Sequence, residues 1–149
     1  MNRREFIGWV GVGSLASSLP LAIAACSPQT TEIPTPESRK PIAAPRPDGF
    51  QPIIQLADLE KMGQVLVEDF AGGQLLVISA AAPNPVQAIN PICTHAGCTV
   101  AWQKEPGILA CPCHGAKFSL QGAVEAGPAD RPLPTYPVKI EAGIVLIKA

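Results

Sequence analysis

The chain has 149 residues, 47% of them hydrophobic and 15% charged, with a formal net charge of −1. Those proportions exclude a disordered chain, and the near-neutral balance provides no basic field to attract nucleic acid. Plentiful proline (17) and glycine (13) suit short strands joined by many turns, and five cysteines, an odd number, leave at least one outside any intramolecular disulfide.

Residues 1–26, "MNRREFIGWVGVGSLASSLPLAIAAC", follow the three-part plan of an export signal and stand apart from the fold. A charged opening, Asn2–Glu5, precedes a weakly apolar stretch from Phe6 to Ala25, and small residues lead to Cys26. The "RR" followed by "EFI" resembles a twin-arginine signal, a receptor-read address for proteins exported already folded. "IAAC" resembles a lipobox, which makes Cys26 the lipidation candidate. The competing reading is an uncleaved transmembrane anchor. The stretch is long enough to span a bilayer, but its glycines, serines and Pro20 make it a poor span. Both readings tether the domain to a membrane and place it on the periplasmic or an equivalent non-cytoplasmic side.

Residues 27–48 carry six prolines and almost no large apolar side chains, the composition of an extended linker. From Gly49 to Ala149 the composition changes. Apolar, β-prone runs predict strands at 64–70, 74–80, 86–90, 98–102, 107–111, 135–140 and 143–149, separated by turn residues. One short helix is predicted around Leu56–Lys61. The expectation is an all-β domain of small antiparallel sheets, small enough to benefit from covalent staples.

Four of the five cysteines and both histidines fall in two short boxes, "CTHAGC" at 93–98 and "CPCHG" at 111–115, with twelve residues between Cys98 and Cys111. Each box follows an apolar strand, and two loops at neighbouring strand ends can meet at one tip of a sheet. Two thiolates and two imidazoles suit tetrahedral zinc, or an iron–sulfur cluster in which two histidines replace two cysteines on one iron. With Cys93, His95, Cys111 and His114 taken as ligands, Cys98 and Cys113 remain, one in each loop. A disulfide between them would pin the loops together, worth about 3 kcal/mol in the chain-entropy picture, and would need an oxidising compartment.

The two boxes resemble those of the Rieske iron–sulfur proteins, and "GAVEAGPADRPLPTYPV" at 122–138 resembles that family's Gly/Pro-rich loop and return strand. The resemblance covers residues 50–149. It implies a [2Fe–2S] cluster with Cys93 and Cys111 on one iron, His95 and His114 on the other, and a Cys98–Cys113 disulfide. It also implies a β-sheet fold with a cluster-binding subdomain formed by the two loops. Two ferric irons, two sulfides and two thiolates sum to zero charge, whereas four thiolates leave the cluster at −2. Mixed ligation therefore raises the potential.

The chain departs from the high-potential members that serve cytochrome bc-type complexes. Those carry a Ser and a Tyr whose hydroxyls hydrogen-bond the cluster, where this chain has Ala116 and Phe118. Missing donors lower the expected potential. The implied function is a membrane-tethered one-electron carrier between a donor and an acceptor such as a c-type cytochrome. A link to quinol and a cytochrome b-type subunit would make His114 the quinol contact. The chain is then a redox subunit of the quinol–cytochrome c or plastocyanin reductase type rather than an enzyme alone. Alternatives are the small subunit of a periplasmic oxidoreductase such as arsenite oxidase, a Rieske ferredoxin-type carrier, and a structural zinc module. A catalytic Rieske oxygenase subunit is excluded, because its mononuclear iron needs two more histidines than the two present.

Overall fold

A computed structural model describes residues 36–81 and 84–149. In chain order the elements are β1 (Glu37–Arg39), β2 (Phe50–Gln55), α1 (Leu56–Met62), β3 (Gln64–Phe70), β4 (Gly73–Ser79) and β5 (Val86–Ile89). They continue with β6 (Ala101–Gln103), β7 (Ile108–Ala110), β8 (Lys117–Phe118), β9 (Val124–Ala126), β10 (Val138–Glu141) and β11 (Ile144–Lys148). Three sheets result, ordered β1-β3-β4-β5, β10-β11-β2 and β6-β7-β8-β9. All pairings are antiparallel except β1 with β3.

The four-stranded sheet holding β4 divides two cores. Side chains alternate across a strand, so Leu75 and Val77 enter one core with Ile53, Val65, Val145 and Ile147. Leu76 and Ile78 enter the other with Cys93, Trp102, Leu109, Cys111 and Phe118. Burial on both faces explains why "LLVI" reads as a continuous apolar run rather than an alternating one. In β5, Val86 and Ala88 face the first core and Ile89 the second.

In α1, Leu59 is fully buried, with Leu56 and Met62 three residues to either side packed against the same core. The Gly63 amide closes the helix on the Leu59 carbonyl at 2.8 Å. β3–β4 and β10–β11 are hairpins with two-residue turns, at Ala71-Gly72 and Ala142-Gly143, each with positive φ at both positions.

The predicted strands at 64–70, 74–80, 86–90 and 143–149 coincide with β3, β4, β5 and β11, and the helix at Leu56–Lys61 with α1. Four strands had no counterpart in the sequence reading. β2 is interrupted by Pro52, which is accommodated because β2 is a sheet edge and its register with β11 shifts between Val145 and Leu146. β8 and β9 hold two and three residues, too few to form a pattern. β1 lies inside the proline-rich stretch 27–48 and runs along the edge of β3, with Glu37, Ser38 and Arg39 all exposed. Further along that stretch, Arg46 pairs with Glu141 of β10 at 2.7 Å and Gln51 donates to the Ala43 carbonyl at 3.1 Å. The export signal and Cys26 lie outside the described residues. Among the described residues, no helix is long and apolar enough to cross a membrane.

Candidate metal centre

The two cysteine–histidine boxes fold into loops with the same hydrogen-bond frame. In the first, the Cys93 amide donates to the Cys98 carbonyl at 2.8 Å and the Gly97 amide to the Cys93 carbonyl at 2.9 Å. In the second, the Cys111 amide donates to the Ala116 carbonyl at 2.8 Å and the Gly115 amide to the Cys111 carbonyl at 3.1 Å. Each loop is closed at its base by antiparallel partners one residue outside it, Ile92 with Thr99 and Ala110 with Lys117. The turn back requires a left-handed residue at the fifth position, supplied by Gly97 (φ 77°) and Gly115 (φ 71°). A Cβ at either glycine would meet no atom within 4 Å, so backbone conformation rather than space selects glycine there. The shared C-x3-G spacing was the sequence signal for this repeat.

The frame sorts the donors by depth. Cys93 and Cys111 are 2% and 3% exposed, whereas His95 and His114 are exposed. The two imidazoles stand edge to face with centroids 4.8 Å apart. Burial pushes the Cys111 thiol above its ordinary value, and the facing Cys93 thiol adds to that rise. The backbone N–H groups of Cys113 and His114 act in the opposite sense by donating to the Cys111 sulfur. Those amides are placed to stabilise a thiolate there.

Cys98 and Cys113 form a disulfide joining the two loops. The Sγ atoms of Cys98, Cys111 and Cys113 lie within 4.8 Å of one another. The bonded pair offers no thiolate, so the thiols open to a metal among the described residues are Cys93 and Cys111. Cys93, His95 and His114 do not form such a close group. A single tetrahedral zinc, with bonds of about 2.0–2.3 Å, would draw all of its donors within roughly 4 Å of each other. Two buried thiols behind two exposed imidazoles present the donors as two pairs at different depths, which fits a binuclear group held at two ends.

A third segment backs the loops. The Thr94 hydroxyl donates to the Arg131 carbonyl at 2.6 Å, and Ala129 and Leu133 enter the core beneath the thiols. The Asn90 amide donates to the Pro134 carbonyl at 2.8 Å, tying this segment to the end of β5. A Cβ at Gly127 (φ 94°) would sit 2.6 Å from the Ala116 Cα and 3.0 Å from the Gly115 carbonyl oxygen. Gly127 is thus a functional position that the sequence reading quoted within 122–138 without singling it out. Ala116 and Phe118 are fully buried beside the thiols. Trp102, Leu109 and Phe118 form one cross-strand row beneath the site.

A family profile described as the Rieske [2Fe-2S] domain matches residues 49–137. The cytochrome b6-f complex iron-sulfur subunit of Chlorobaculum tepidum is 47% identical over 60 residues, 40% of this chain and 33% of that protein. The subunit of the same description from Chlorobaculum thiosulfatiphilum is 33% identical over 85 residues, 57% of this chain and 46% of that one. This chain therefore spans less than half the length of these two relatives. The crystal structure of the plasma membrane Rieske protein PetC3 from Synechocystis PCC 6803 superposes with a TM-score of 0.59 at 40% identity. That match covers 64% of this chain and 95% of the other.

Proposed function

The chain belongs to the Rieske [2Fe–2S] family, and we propose that it carries single electrons at a membrane surface outside the cytoplasm. The observation that carries this reading is the pair of buried thiols set behind a pair of exposed imidazoles. Cys93 and Cys111 would hold one iron of a [2Fe–2S] cluster, and His95 and His114 the other. When bound, the cluster supplies a one-electron couple.

The protein's own residues set how that couple is used. The apolar seat of Val100, Leu109, Ala116 and Phe118 keeps water from the thiolate end. The exposed imidazoles bring the other end to the surface, where an electron partner can approach. The acceptor is a c-type cytochrome or similar protein. His114 is the group that would accept a hydrogen bond from a quinol, if a cytochrome b-type subunit brings one. Ala116 and Phe118 offer no hydroxyl to the cluster, which favours an alternative carrier over the main quinol-oxidising subunit. The tether begins at Cys26, its lipid attachment point, and ends where β1 joins the domain at Glu37.

The test is an EPR-monitored redox titration of the whole protein in detergent across pH. The expected result is a Rieske-type signal with a potential below that of the bc-type proteins. A potential as high as theirs would return quinol oxidation to the leading role. An iron-replete preparation without any iron–sulfur signal would overturn the cluster and promote zinc.

A further inference from the structure

Resting on the reading of Cys111 as a ligand, we propose that in a cluster-free chain Cys111 exchanges into the Cys98–Cys113 disulfide and closes the site. The juxtaposition is the ground for this. A free thiol lies within 4.8 Å of both sulfurs of the bond that pins the two loops. Thiol–disulfide exchange needs only a thiolate with access to a disulfide sulfur. Cys111 is surrounded by core side chains, so water-borne thiols do not reach it, but its own neighbours do.

The step balances within the protein. Cys111 gives its proton to water and, as the thiolate so formed, attacks Sγ of Cys98. A Cys98–Cys111 bond forms, the Cys98–Cys113 bond breaks, and Cys113 leaves as a thiolate that takes a proton from water. One disulfide and one thiol become one disulfide and one thiol, so neither oxidant nor reductant is consumed. Attack on Cys113 instead would close a small ring through Pro112, whose φ is fixed, and Cys98 is therefore the sulfur attacked.

The exchange has a direction that matters for assembly. It replaces a buried thiol, Cys111, by an exposed one, Cys113. It also removes an iron ligand. A Cys111 sulfur that holds iron would have its charge drawn onto the metal and be a weaker nucleophile, so the loaded protein would be protected. The cluster must then be in place before the disulfide closes. A chain that reaches an oxidising compartment empty locks itself empty. Export of the protein already folded and loaded would satisfy that order.

Disulfide mapping tests the proposal. The full-length protein is divided into a cluster-loaded arm and an arm stripped with chelator under argon. Both are held without reductant, quenched in acid, alkylated, digested and mapped by mass spectrometry. The expected result is Cys98–Cys113 throughout the loaded arm. In the stripped arm, Cys98–Cys111 should become the main species with the alkyl label on Cys113. Uptake of iron and sulfide should fall in the same proportion and return after a dithiol reductant. Retention of Cys98–Cys113 in the stripped arm, with the label on Cys93 and Cys111, would overturn the proposal. So would a statistical mixture of pairings, the mark of an unfolded chain. A Cys93→Ser variant, assembled without a cluster and never exposed to chelator, should give the same Cys98–Cys111 product. If the starting protein binds no iron–sulfur cluster, the ligand reading fails, while the mapping still reports whether the exchange occurs.

Discussion

Ala116 and Phe118 are fully buried against the thiol pair and carry no hydroxyl. A hydroxyl at either place would donate to sulfur, and such a bond strengthens when the cluster gains an electron and becomes more negative. If each bond favours the reduced form by about 1 kcal/mol, the potential rises by roughly 40 mV per bond for a one-electron couple. Ala116→Ser with Phe118→Tyr should therefore raise the potential by roughly 80 mV, read in the EPR titration. An unchanged potential would remove these two positions from its control. The site was legible at this scale because cysteine and histidine are rare here, and four cysteines and both histidines share two short boxes. Their depth was not legible. Neither box shows by itself that its cysteine turns inward and its histidine outward, because that depends on the backbone frame closed by Gly97 and Gly115.

At the scale of elements, the cluster subdomain depends on short strands that support one another. β8 pairs with β7 and β9, yet holds only Lys117 and Phe118. No local propensity specifies a two-residue strand; its partners do. The loop after β9 is equally tertiary in origin. Gly127 reaches a backbone conformation and a proximity to Ala116 that no side chain permits. Gly127→Ala should destabilise the protein by about 1–3 kcal/mol from backbone strain alone. It should also displace the second loop, measured as a lower denaturant midpoint together with reduced iron content. A variant with full iron content and an unchanged midpoint would show that the loop yields without strain.

Across the whole molecule, two cores share one sheet, and the segment before β2 is strapped to the sheet formed by β10, β11 and β2. Glu141 of β10 anchors the strap through Arg46 and also pairs with Lys139 of its own strand; Lys139 and Arg46 hold its carboxyl below the ordinary value of 4.5. A lowered folded value means that the unfolded chain takes the proton first as pH falls. The stabilisation is therefore fully present above about pH 4.5 and lost as pH drops through the folded value. Glu141→Gln should be less stable than the parent at pH 7 by a small, salt-sensitive margin, and the margin should close at acid pH. Urea unfolding at pH 7 and in acid, at low and high salt, measures it. A difference that persists in acid would assign the effect to packing rather than charge.

The sequence by itself determined the all-β class, the strands long enough to show a pattern, and the two boxes that gather four cysteines and both histidines. Those features rest on local chemistry: β-branched runs, turn residues, and side chains with donor atoms. Only the tertiary structure decided that β1 lies within the proline-rich stretch, that β8 and β9 exist, and that Gly127 and the Thr94–Arg131 contact back the loops. Each of these is held by partners distant in the chain, such as Glu37 opposite Val65 and Thr94 against Arg131. A contact whose free energy comes from a distant partner leaves little trace in the residues on either side of it.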